Sequence, residues 1–583
     1  MGMSGNRIVR LKDSDDLLEN IEHHFKVIAG PGAGKTRWLC SHIKNVLNKS
    51  DRLKKSRKIA CITYTNIGVE TILTKIGESI DKVEVSTIHS FLYKNIVKPY
   101  IFLLKDDFEF DPSKIDGHDE LTPSKGFVIE WLKRTNQFYK DYKGKLDQIM
   151  KVLCDIYWKI LENDSEIELE FRHNWQKKIG NYSIKKSSLI EYKKMFWERS
   201  WLHHDDILYF SLELIRRHPE ILRILRCKFP YFFIDEFQDT NPIQTKIIKM
   251  VGERETVVGV IGDRNQSIYG FQGANVKQFE EFELPNLVTY KIENNYRSTE
   301  EILTVLNYIR KDIEQHNPSD KRGEKPIILV GSAIENYNRV KRNLDSNNTC
   351  TLSYTNLTSC EMKNEYIGIG KEDLFIKLKV FDSSKKRGDK IASLIKGVEF
   401  ARQNKFKDAI KEVSRYFKSE DNYKGQKISL ILIKEMLDYY EEYCNGSLYD
   451  FYNILSNTKI ISIPEIIMSR PSKIKKFYQG TKYKDLVLCM KYNDDNSLHR
   501  TIHKAKGDEF NNVFVIVKYK KDSETNENKE LSFLLNPDLD KEDHRVYYVA
   551  LSRAKERLFI NIPKLSTTNQ EKLKEIGFNI EKN

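Results

Sequence analysis

The residues of this sequence whose types and spacing best suit chemistry form a glycine-rich loop near the N-terminus. Residues 29–36 read A-G-P-G-A-G-K-T and follow the mostly apolar run Phe25–Ile28. A buried strand, a glycine-rich loop and a helix start in that order form a phosphate cradle, in which backbone N–H groups and the helix N-terminus face the anion. Lys35 could reach the β- and γ-phosphate oxygens, and Thr36 could bind Mg²⁺. The loop therefore predicts binding and hydrolysis of a nucleoside triphosphate.

This loop departs from the strict Walker A pattern at one position, because Ala29 stands where that pattern has Gly. Alanine is small enough for the same turn. A glycine-rich loop can also be a plain tight turn, but the G-K-T ending after an apolar run favours phosphate binding. The candidate nucleotide-binding residues of the loop are Ala29, Gly30, Pro31, Gly32, Ala33, Gly34, Lys35 and Thr36.

Two adjacent carboxylates follow a second apolar run, in the segment Tyr231–Thr240, which reads Y-F-F-I-D-E-F-Q-D-T. Successive side chains along a strand point in different directions, so one carboxylate can bind Mg²⁺ while the next activates water. We expect Asp235 to be the metal ligand and Glu236 the general base. The alternative is an acidic cap at the end of the strand.

A third strand, expected at Val257–Ile261, runs into the segment Gly262–Ala274. Gln266 at the strand end could sense the γ-phosphate. Tyr269 and Phe271 could stack on nucleic-acid bases, which is the usual sequence-tolerant way to hold a single strand. Taken alone, aromatic residues such as these more often belong to a hydrophobic core.

Composition indicates a large protein with a polyanionic partner. The 583 residues exceed what one hydrophobic core holds and predict about three to four domains. Lys and Arg number 97 against 84 Asp and Glu, a net charge of +13 that suits nucleic acid. Eight scattered cysteines without a C-x-x-C pair predict reduced thiols and no zinc or iron–sulfur site. With no signal peptide and no apolar span in the sequence, we expect a cytoplasmic protein that does not contact membranes.

Nine short segments occur in an order that is typical of one protein family. They are AGPGAGKT, ITYTN, STIHSF, HDDIL, FIDEFQDTN, IGDRNQSIYGFQGA, NNYRST, TIHKAKGDEF and YYVALSRAKERLFI. In this order and approximate spacing they resemble the UvrD/Rep/PcrA-like superfamily 1 DNA helicases, over nearly the whole chain. The strand–helix alternation around them predicts an α/β protein with two RecA-like P-loop NTPase domains, each a parallel sheet flanked by helices.

The resemblance implies a role for each matching residue. Lys35, Thr36, Asp235 and Glu236 form the hydrolytic set, Gln266 senses the γ-phosphate, and Arg297 and Arg553 are arginine fingers from the second motor domain. Arg37 and Tyr296 sandwich the adenine, while Gly507 and Glu509 lie at the nucleotide, with Glu509 at the ribose. The implied single-strand contacts are Tyr64, Thr65, Asn66, His89, Tyr269, Phe271, Asn356 and His503.

The resemblance implies an ATP- and Mg²⁺-dependent DNA helicase or translocase that moves 3′→5′ on single-stranded DNA and at single-strand/duplex junctions. A second hypothesis is a motor or sensing subunit of an anti-phage complex of the Gabija type, acting through a partner nuclease of the OLD/Toprim kind. A third, a catalytically dead binding module, conflicts with the intact hydrolytic set. The chain ends soon after Leu558–Ile560, so we expect no RecB-type nuclease domain or tudor-like tail.

Four departures from the family pattern bear on function. No Gln occurs before Lys35 to read the adenine edge, which predicts weak discrimination between bases. Gln272 replaces the Arg of the Phe-Arg-Gly-Ala segment, which removes a cation beside Phe271. Tyr354 replaces an Arg, and Lys504 and Asp508 replace the more common Ser and Leu. None of these lies in the hydrolytic set.

The expected domain organisation has two interrupted motor domains, each with an inserted, mainly helical subdomain. The expected ranges are 1–93 and 203–285 for motor domain 1A, 94–202 for subdomain 1B, 286–358 and 496–583 for motor domain 2A, and 359–495 for subdomain 2B. We expect the five tryptophans of subdomain 1B to lie in its core. Gly368-Ile369-Gly370 matches a duplex-contacting segment of the family, or is a plain turn.

Overall fold

The structure is a computed structural model with two compact units. They comprise Met1–Glu324 with Ser532–Glu556, and Lys325–Leu531 with Arg557–Asn583. The described residues are 8–108, 110–115, 117–118, 121–137, 142–161, 166–179, 182–344, 349–367, 374–382, 387–415, 422–466, 472–490, 497–518 and 527–582. The segment Gly368-Ile369-Gly370 lies outside them.

Strands and helices alternate along the chain. The strands are β1 (Ile8–Leu11), β2 (Phe25–Ala29), β3 (Ile59–Thr63), β4 (Val83–Thr87), β5 (Ile156–Ile160), β6 (Ile167–Phe171), β7 (Lys178–Ile179), β8 (Tyr182–Ser183), β9 (Tyr231–Ile234), β10 (Val257–Gly262), β11 (Val288–Ile292), β12 (Ile327–Val330), β13 (Thr349–Ser353), β14 (His499–Thr501), β15 (Phe510–Ile516), β16 (Ala554–Ile562) and β17 (Asn579–Lys582).

The α-helices are α1 (Lys35–Lys49), α2 (Asn66–Ile76), α3 (Ile88–Leu92), α4 (Lys98–Tyr100), α5 (Lys125–Arg134), α6 (Leu146–Leu153), α7 (Leu189–Trp197), α8 (His204–Arg217), α9 (Glu220–Lys228), α10 (Pro242–Gly252), α11 (Val276–Glu280), α12 (Glu300–Ile309), α13 (Ala333–Leu344), α14 (Asn356–Lys363), α15 (Leu374–Phe381), α16 (Arg387–Arg402), α17 (Phe406–Ser414), α18 (Asn422–Asp438), α19 (Tyr440–Tyr443), α20 (Leu448–Asn457), α21 (Lys473–Gly480), α22 (Tyr483–Leu488), α23 (Glu527–Glu530), α24 (Ser532–Leu535), α25 (Glu542–Leu551) and α26 (Thr567–Ile576).

The first unit is built on a seven-stranded sheet in the order β1-β11-β2-β10-β9-β3-β4, in which all neighbouring strands run parallel. The central strands β2, β9 and β10 are almost entirely buried, as expected of a parallel sheet covered by helices on both faces. One face packs against Trp38 and Ile43 of α1, and the other against Ile207 of α8 and Ile247 of α10. The α/β class expected from the sequence is therefore confirmed.

Strand β11 extends the first sheet beyond the expected domain boundary at residue 285. It pairs with β1 through Ile8↔Thr289 and with β2 through Phe25↔Val288. The chain joins the second unit only at Lys325. The first unit thus also contains the segment that carries Arg297 and, through residues 532–556, the segment that carries Arg553.

Subdomain 1B inserts helices and two small hairpins into the first unit. The hairpins pair β5 with β6 and β7 with β8 in antiparallel fashion. The expectation of five core tryptophans is correct for three and wrong for two. Trp131, Trp158 and Trp197 are buried, whereas Trp175 is 69% exposed and Trp201 is 53% exposed.

The second unit contains a six-stranded sheet in the order β14-β13-β15-β16-β12-β17. Helices α15–α22 pack around a separate hydrophobic core. Within α16, Ile391, Leu394, Ile395 and Val398 are all buried, as their helical spacing predicts. Among the described residues, no helix is both long and apolar enough to cross a membrane.

Candidate nucleotide site and DNA-binding surface

The glycine-rich loop joins β2 to α1 through two left-handed glycines. Gly32 has φ +73° and Gly34 has φ +81°, values that an L side chain rarely adopts. A Cβ on Gly32 would also lie 2.5 Å from Oδ1 of Asn295. Lys35 begins α1, and its buried Nζ lies 3.4 Å from the carbonyl oxygen of Ala29. The loop thus has the backbone geometry of a phosphate cradle, with its lysine directed inward.

Burial lowers the pKa of the Lys35 ammonium, an effect that the Glu236 and Asp263 carboxylates oppose. A buried cation is costly unless anionic groups surround it. Here the carboxylates that oppose the lowering of the pKa follow the ends of β9 and β10.

Three neighbouring parallel strands bring the main site residues together. The glycine-rich loop follows β2, Gln266 follows β10, and Asp235 follows β9, and β10 lies between the other two strands in the sheet. Ligands of open parallel sheets bind at the carboxyl ends of the strands. Residues far apart in the sequence therefore converge because their strands are adjacent.

The geometry of Thr36 and Asp235 fits a magnesium ion. Oγ1 of Thr36 donates to Oδ2 of Asp235 at 3.0 Å. Burial, and next the charge of Glu236, raise the pKa of Asp235 to about 6. A buried carboxylate with a raised pKa beside a hydroxyl is an oxygen donor set for a hard cation, and a bound cation would lower that pKa.

Glu236 has a strained backbone, with φ +53° in a residue that carries a side chain. Its backbone N–H donates to Oδ1 of Asp235 at 3.0 Å, and its Oε2 accepts a hydrogen bond from Nε2 of Gln238. Oε1 of Gln238 in turn accepts the N–H of Asp263 at 3.0 Å. Gln238, which orients the expected base, was not among the expected site residues, and its place two residues after Glu236 is the only local signal for it.

Gln266 lies between a carboxylate and an arginine. Its Nε2 donates to Oδ2 of Asp263 at 2.7 Å, and its Oε1 accepts from Nη2 of Arg553 at 3.1 Å. Asp263 also accepts from Nη1 of the buried Arg310 at 2.9 Å. Asp263 and Arg310 were not expected as site residues: Asp263 binds Gln266, and Arg310 binds Asp263.

Residues on both sides of Arg297 in the chain contact the glycine-rich loop directly. Nδ2 of Asn295 and Nε2 of Gln315 both donate to the Pro31 carbonyl, at 2.8 and 3.0 Å. Oδ1 of Asn295 accepts the N–H of Arg297 at 2.8 Å, and Nη1 of Arg297 donates to the Ser552 carbonyl at 2.9 Å. Both expected arginine fingers therefore belong to the same compact unit as the loop.

Of the two residues expected to sandwich the adenine, Arg37 directly follows the loop and Tyr296 contacts its middle. Arg37 follows Thr36 and makes a two-pronged contact with Asp15, at 3.1 Å through Nε and 2.6 Å through Nη2. Tyr296 donates its backbone N–H to the Gly32 carbonyl at 3.0 Å, and its ring is 46% exposed. Both side chains are accessible to a ligand.

Four expected contacts lie in the second unit. Gly507 has φ +91° in the turn before β15, and Glu509 is exposed beside it. Asn356 begins α14 and lines a small pocket together with Arg500 and Lys504. The ring of His503 lies edge-on to that of Tyr354, with ring centres 6.1 Å apart.

Aromatic rings of the first unit form a surface beside the nucleotide site. Tyr64 and Tyr269 stack with ring centres 4.9 Å apart at 21°, and the ring centre of Phe271 lies 6.1 Å from that of Tyr269. Phe271 is 52% exposed. Thr65 accepts the N–H of Gly68 at 3.0 Å and caps α2, which begins at the exposed Asn66. The ring of Phe271 is therefore accessible to a nucleic-acid base, while Tyr64 and Tyr269 are half-buried beside it.

His89 lies in a histidine cluster rather than alone. Its ring centre is 5.9 Å from that of His204, and Nδ1 of His204 lies 2.5 Å from Nδ1 of His118. Burial, with the two neighbouring imidazoles, lowers the pKa of His89 to about 4. At neutral pH His89 is therefore an uncharged ring.

A parallel sheet with a glycine-rich loop at its carboxyl edge, a carboxylate pair after β9 and two arginines nearby has the arrangement of a P-loop nucleotide-binding domain. Residues 12–285 match the UvrD/REP helicase N-terminal domain, and residues 332–564 match the UvrD-like helicase C-terminal domain. The chain belongs to the UvrD/Rep/PcrA-like superfamily 1 helicases.

Two curated relatives illustrate the similarity. The ATP-dependent DNA helicase PcrA of Bacillus subtilis (strain 168) is 29% identical over 302 residues, which are 50% of this chain and 38% of the relative. The ATP-dependent DNA helicase PcrA of Staphylococcus aureus (strain Mu50 / ATCC 700699) is 26% identical over 326 residues, 54% of this chain and 42% of the relative. The chain spans about two fifths of the length of these relatives.

Proposed function

We propose that this chain is an ATP-dependent DNA translocase and helicase that moves 3′→5′ along single-stranded DNA. The observation that carries the proposal is the contact of Arg553 with Gln266, in the unit that also holds Lys35, Asp235 and Glu236. A γ-phosphate sensor in contact with an arginine finger is the arrangement that hydrolysis requires. The direction rests on family membership.

Each group has a role in hydrolysis. The glycine-rich loop and Lys35 bind the phosphates, and Thr36 and Asp235 would hold Mg²⁺, which neutralises charge on the phosphate oxygens. Glu236, oriented by Gln238, accepts a proton from the attacking water at a carboxylate oxygen. Arg297 and Arg553 stabilise the negative charge of the transition state, a contribution of about 10³–10⁵-fold in related enzymes.

Hydrogen bonds at the Pro31 carbonyl suggest how the nucleotide affects the rest of the motor. Asn295 and Gln315 join the loop to the Arg297 segment, so a shift of the loop on binding phosphate moves that segment as well. We propose that this coupling converts nucleotide binding into movement along the strand, with Tyr64, Tyr269 and Phe271 as stacking surfaces.

The experiment has two parts. Phosphate release with and without oligo(dT) tests the motor, and strand displacement on duplexes with a 3′ or a 5′ single-stranded tail tests its direction. We expect DNA-stimulated hydrolysis and displacement of the 3′-tailed duplex only. Hydrolysis indifferent to DNA, or displacement only from a 5′ tail, would contradict the proposal.

A second candidate function is a motor subunit that acts through a nuclease. Compact UvrD-like proteins with a short subdomain 2B occur in anti-phage systems of the Gabija type, and the expected subdomain 2B of this chain, residues 359–495, is similarly short. In that case hydrolysis is stimulated by DNA while neither tailed duplex is displaced by the chain alone. Adding the product of an adjacent OLD/Toprim nuclease gene would then yield DNA cleavage that depends on ATP hydrolysis by this chain.

A further inference from the structure

The loop between β10 and α11 that carries Tyr269 and Phe271 lacks a basic residue at its tip, where the sequence reads G-F-Q-G-A over residues 270–274. Oε1 of Gln272 accepts the Tyr64 hydroxyl at 2.5 Å, so this side chain is engaged within the aromatic surface. Single-strand sites combine stacking rings with cations that neutralise the phosphates. The tip of the loop, residues 270–274, therefore has no cation beside the ring of Phe271.

An arginine of subdomain 1B, Arg172, lies beside this loop. Arg172 directly follows β6, and its Nη1 lies 4.0 Å from the position that a Cβ on Gly273 would occupy. Nε of Arg172 donates to Oδ1 of Asp155 at 3.0 Å, and its guanidinium lies over the ring of Tyr157 at 5.3 Å. Asp155 and Tyr157 therefore fix the guanidinium while its Nη1 side lies next to Gly273.

An exposed ring follows Arg172 in the same segment. Trp175 lies in the 3₁₀ turn Asn174–Lys177, and its indole stacks on the imidazole of His173 with ring centres 5.9 Å apart at 9°. The indole is 69% exposed. Tryptophan is usually well buried, and here the stack on His173 holds it with one flat face in solvent. Such a face suits a nucleic-acid base.

We infer that residues 172–175 of subdomain 1B form part of the single-strand site, with Arg172 on a backbone phosphate beside Gly273 and Trp175 stacked on a base. The inference rests on the proposed function, since it concerns the same DNA strand. The ligand class is single-stranded nucleic acid of any sequence, because neither contact reads a base edge. Arg172 then takes the place of the cation that position 272 lacks.

Salt dependence tests the phosphate contact. Binding of fluorescein-labelled oligo(dT) to the full chain is measured over a series of salt concentrations. Arg172→Ala should reduce the slope of log K against log[salt] by about 0.7, the value of one phosphate contact on a single strand. Adding Gln272→Arg to Arg172→Ala should restore the slope, because a cation returns to the same loop. Arg199→Ala, which removes another arginine of subdomain 1B, is the control and should leave the slope unchanged.

Affinity and fluorescence test the stacking contact. Trp175→Ala should weaken binding by about 5- to 150-fold without altering the salt slope, as expected for the loss of one stacked base. Trp175→Phe should keep most of the affinity but lose the quenching of tryptophan fluorescence on DNA binding. Trp201→Ala, at the other exposed tryptophan of the subdomain, is the control and should bind like the wild type.

The outcomes separate the inference from the proposed function. A wild-type chain that binds ATP but not oligo(dT) overturns both. A wild-type chain that binds oligo(dT), with unchanged slope in Arg172→Ala and unchanged affinity in Trp175→Ala, overturns the inference alone. If Arg172→Ala lowers the melting temperature, Arg172→Gln and Arg172→Lys replace it, since only the lysine variant should keep the slope.

Discussion

Nη2 of Arg553 donates to Oε1 of Gln266 at 3.1 Å, and Nε of the same guanidinium donates to the Val549 carbonyl at 3.1 Å. Gln266 is held from its other side by Asp263, at 2.7 Å. The arginine is therefore fixed beside the amide that would face the γ-phosphate. Arg553 also lies close enough to Lys35 for its charge to depress the lysine pKa.

This contact predicts that Arg553 acts on the transition state rather than on nucleotide binding. Arg553→Lys keeps the charge but loses the planar fork, and Arg553→Ala loses both. We expect kcat to fall by about 10³-fold or more in Arg553→Ala, with a smaller loss in Arg553→Lys and little change in KM. Steady-state phosphate release measures both constants. Arg254→Ala, at an exposed turn, is the control, and a large rise in KM with unchanged kcat would contradict the assignment.

The carboxylate pair predicts a separation of binding from hydrolysis. Glu236→Gln should bind ATP normally and fail to hydrolyse it, because the amide cannot accept the proton of water. Lys35→Ala should abolish turnover through loss of the phosphate contact. Binding of a fluorescent ATP analogue and phosphate release are measured on the same samples. Hydrolysis at the wild-type rate in Glu236→Gln would show that another residue is the base.

Base discrimination should be weak, because no Gln precedes Lys35 to read the adenine edge. Arg37 and Tyr296 can stack on either purine. We expect kcat/KM for ATP to exceed that for GTP by less than about 100-fold, the discrimination that a buried polar contact worth roughly 2.7 kcal/mol supplies. Parallel titrations with ATP, dATP and GTP measure it. A preference for ATP above that limit would indicate an adenine reader elsewhere in the chain.

Phe271 should couple hydrolysis to movement. Phe271→Ala removes an exposed ring that stacks on bases, at a cost of about 1–3 kcal/mol of single-strand affinity. The salt slope should remain nearly unchanged, because no charge is lost. We expect DNA to stimulate hydrolysis less, and translocation along a labelled strand to slow more than hydrolysis does. If Phe271→Ala retains both full stimulation of hydrolysis by DNA and full translocation, Phe271 does not contact the single strand.

His42 should limit stability in acid. It is fully buried, stacks on Trp38 with ring centres 5.0 Å apart, and neither ring nitrogen has a hydrogen-bond partner among the described residues. Burial lowers its pKa to about 3. His42 therefore becomes protonated below about pH 6.5 in the unfolded chain but only below about pH 3 in the folded chain. The free energy of unfolding consequently falls as the pH drops from about 6.5 to about 3.

The resulting loss in the free energy of unfolding due to His42 is about 2 kcal/mol at pH 5. His42→Leu removes the titrating ring, so the difference in melting temperature between pH 7 and pH 5 should shrink. Thermal unfolding of both proteins at the two pH values measures it, with the exposed His316→Leu as the control. If the melting temperatures of the wild type and His42→Leu depend equally on pH, other groups, such as His89 and His203, cause the loss of stability in acid.

The sequence by itself determined the local parts of the motor. The glycine-rich loop before Lys35 and the carboxylate pair after Ile234 follow from an apolar strand and the residues directly behind it. The helical spacing of Ile391, Leu394, Ile395 and Val398 likewise placed the apolar face of α16. Such features involve residues close along the chain, so the backbone period and the steric limits on φ and ψ decide them.

Only the tertiary structure decided which side chains meet across strands and segments. Gln238 accepts the N–H of Asp263 because β9 and β10 are neighbours in the sheet, and Asn295 reaches the Pro31 carbonyl because β11 pairs with β2. Trp131 is buried and Trp175 is exposed although both occur in similar lysine-rich surroundings. Burial depends on what packs against a residue from elsewhere in the chain, which the local sequence does not encode.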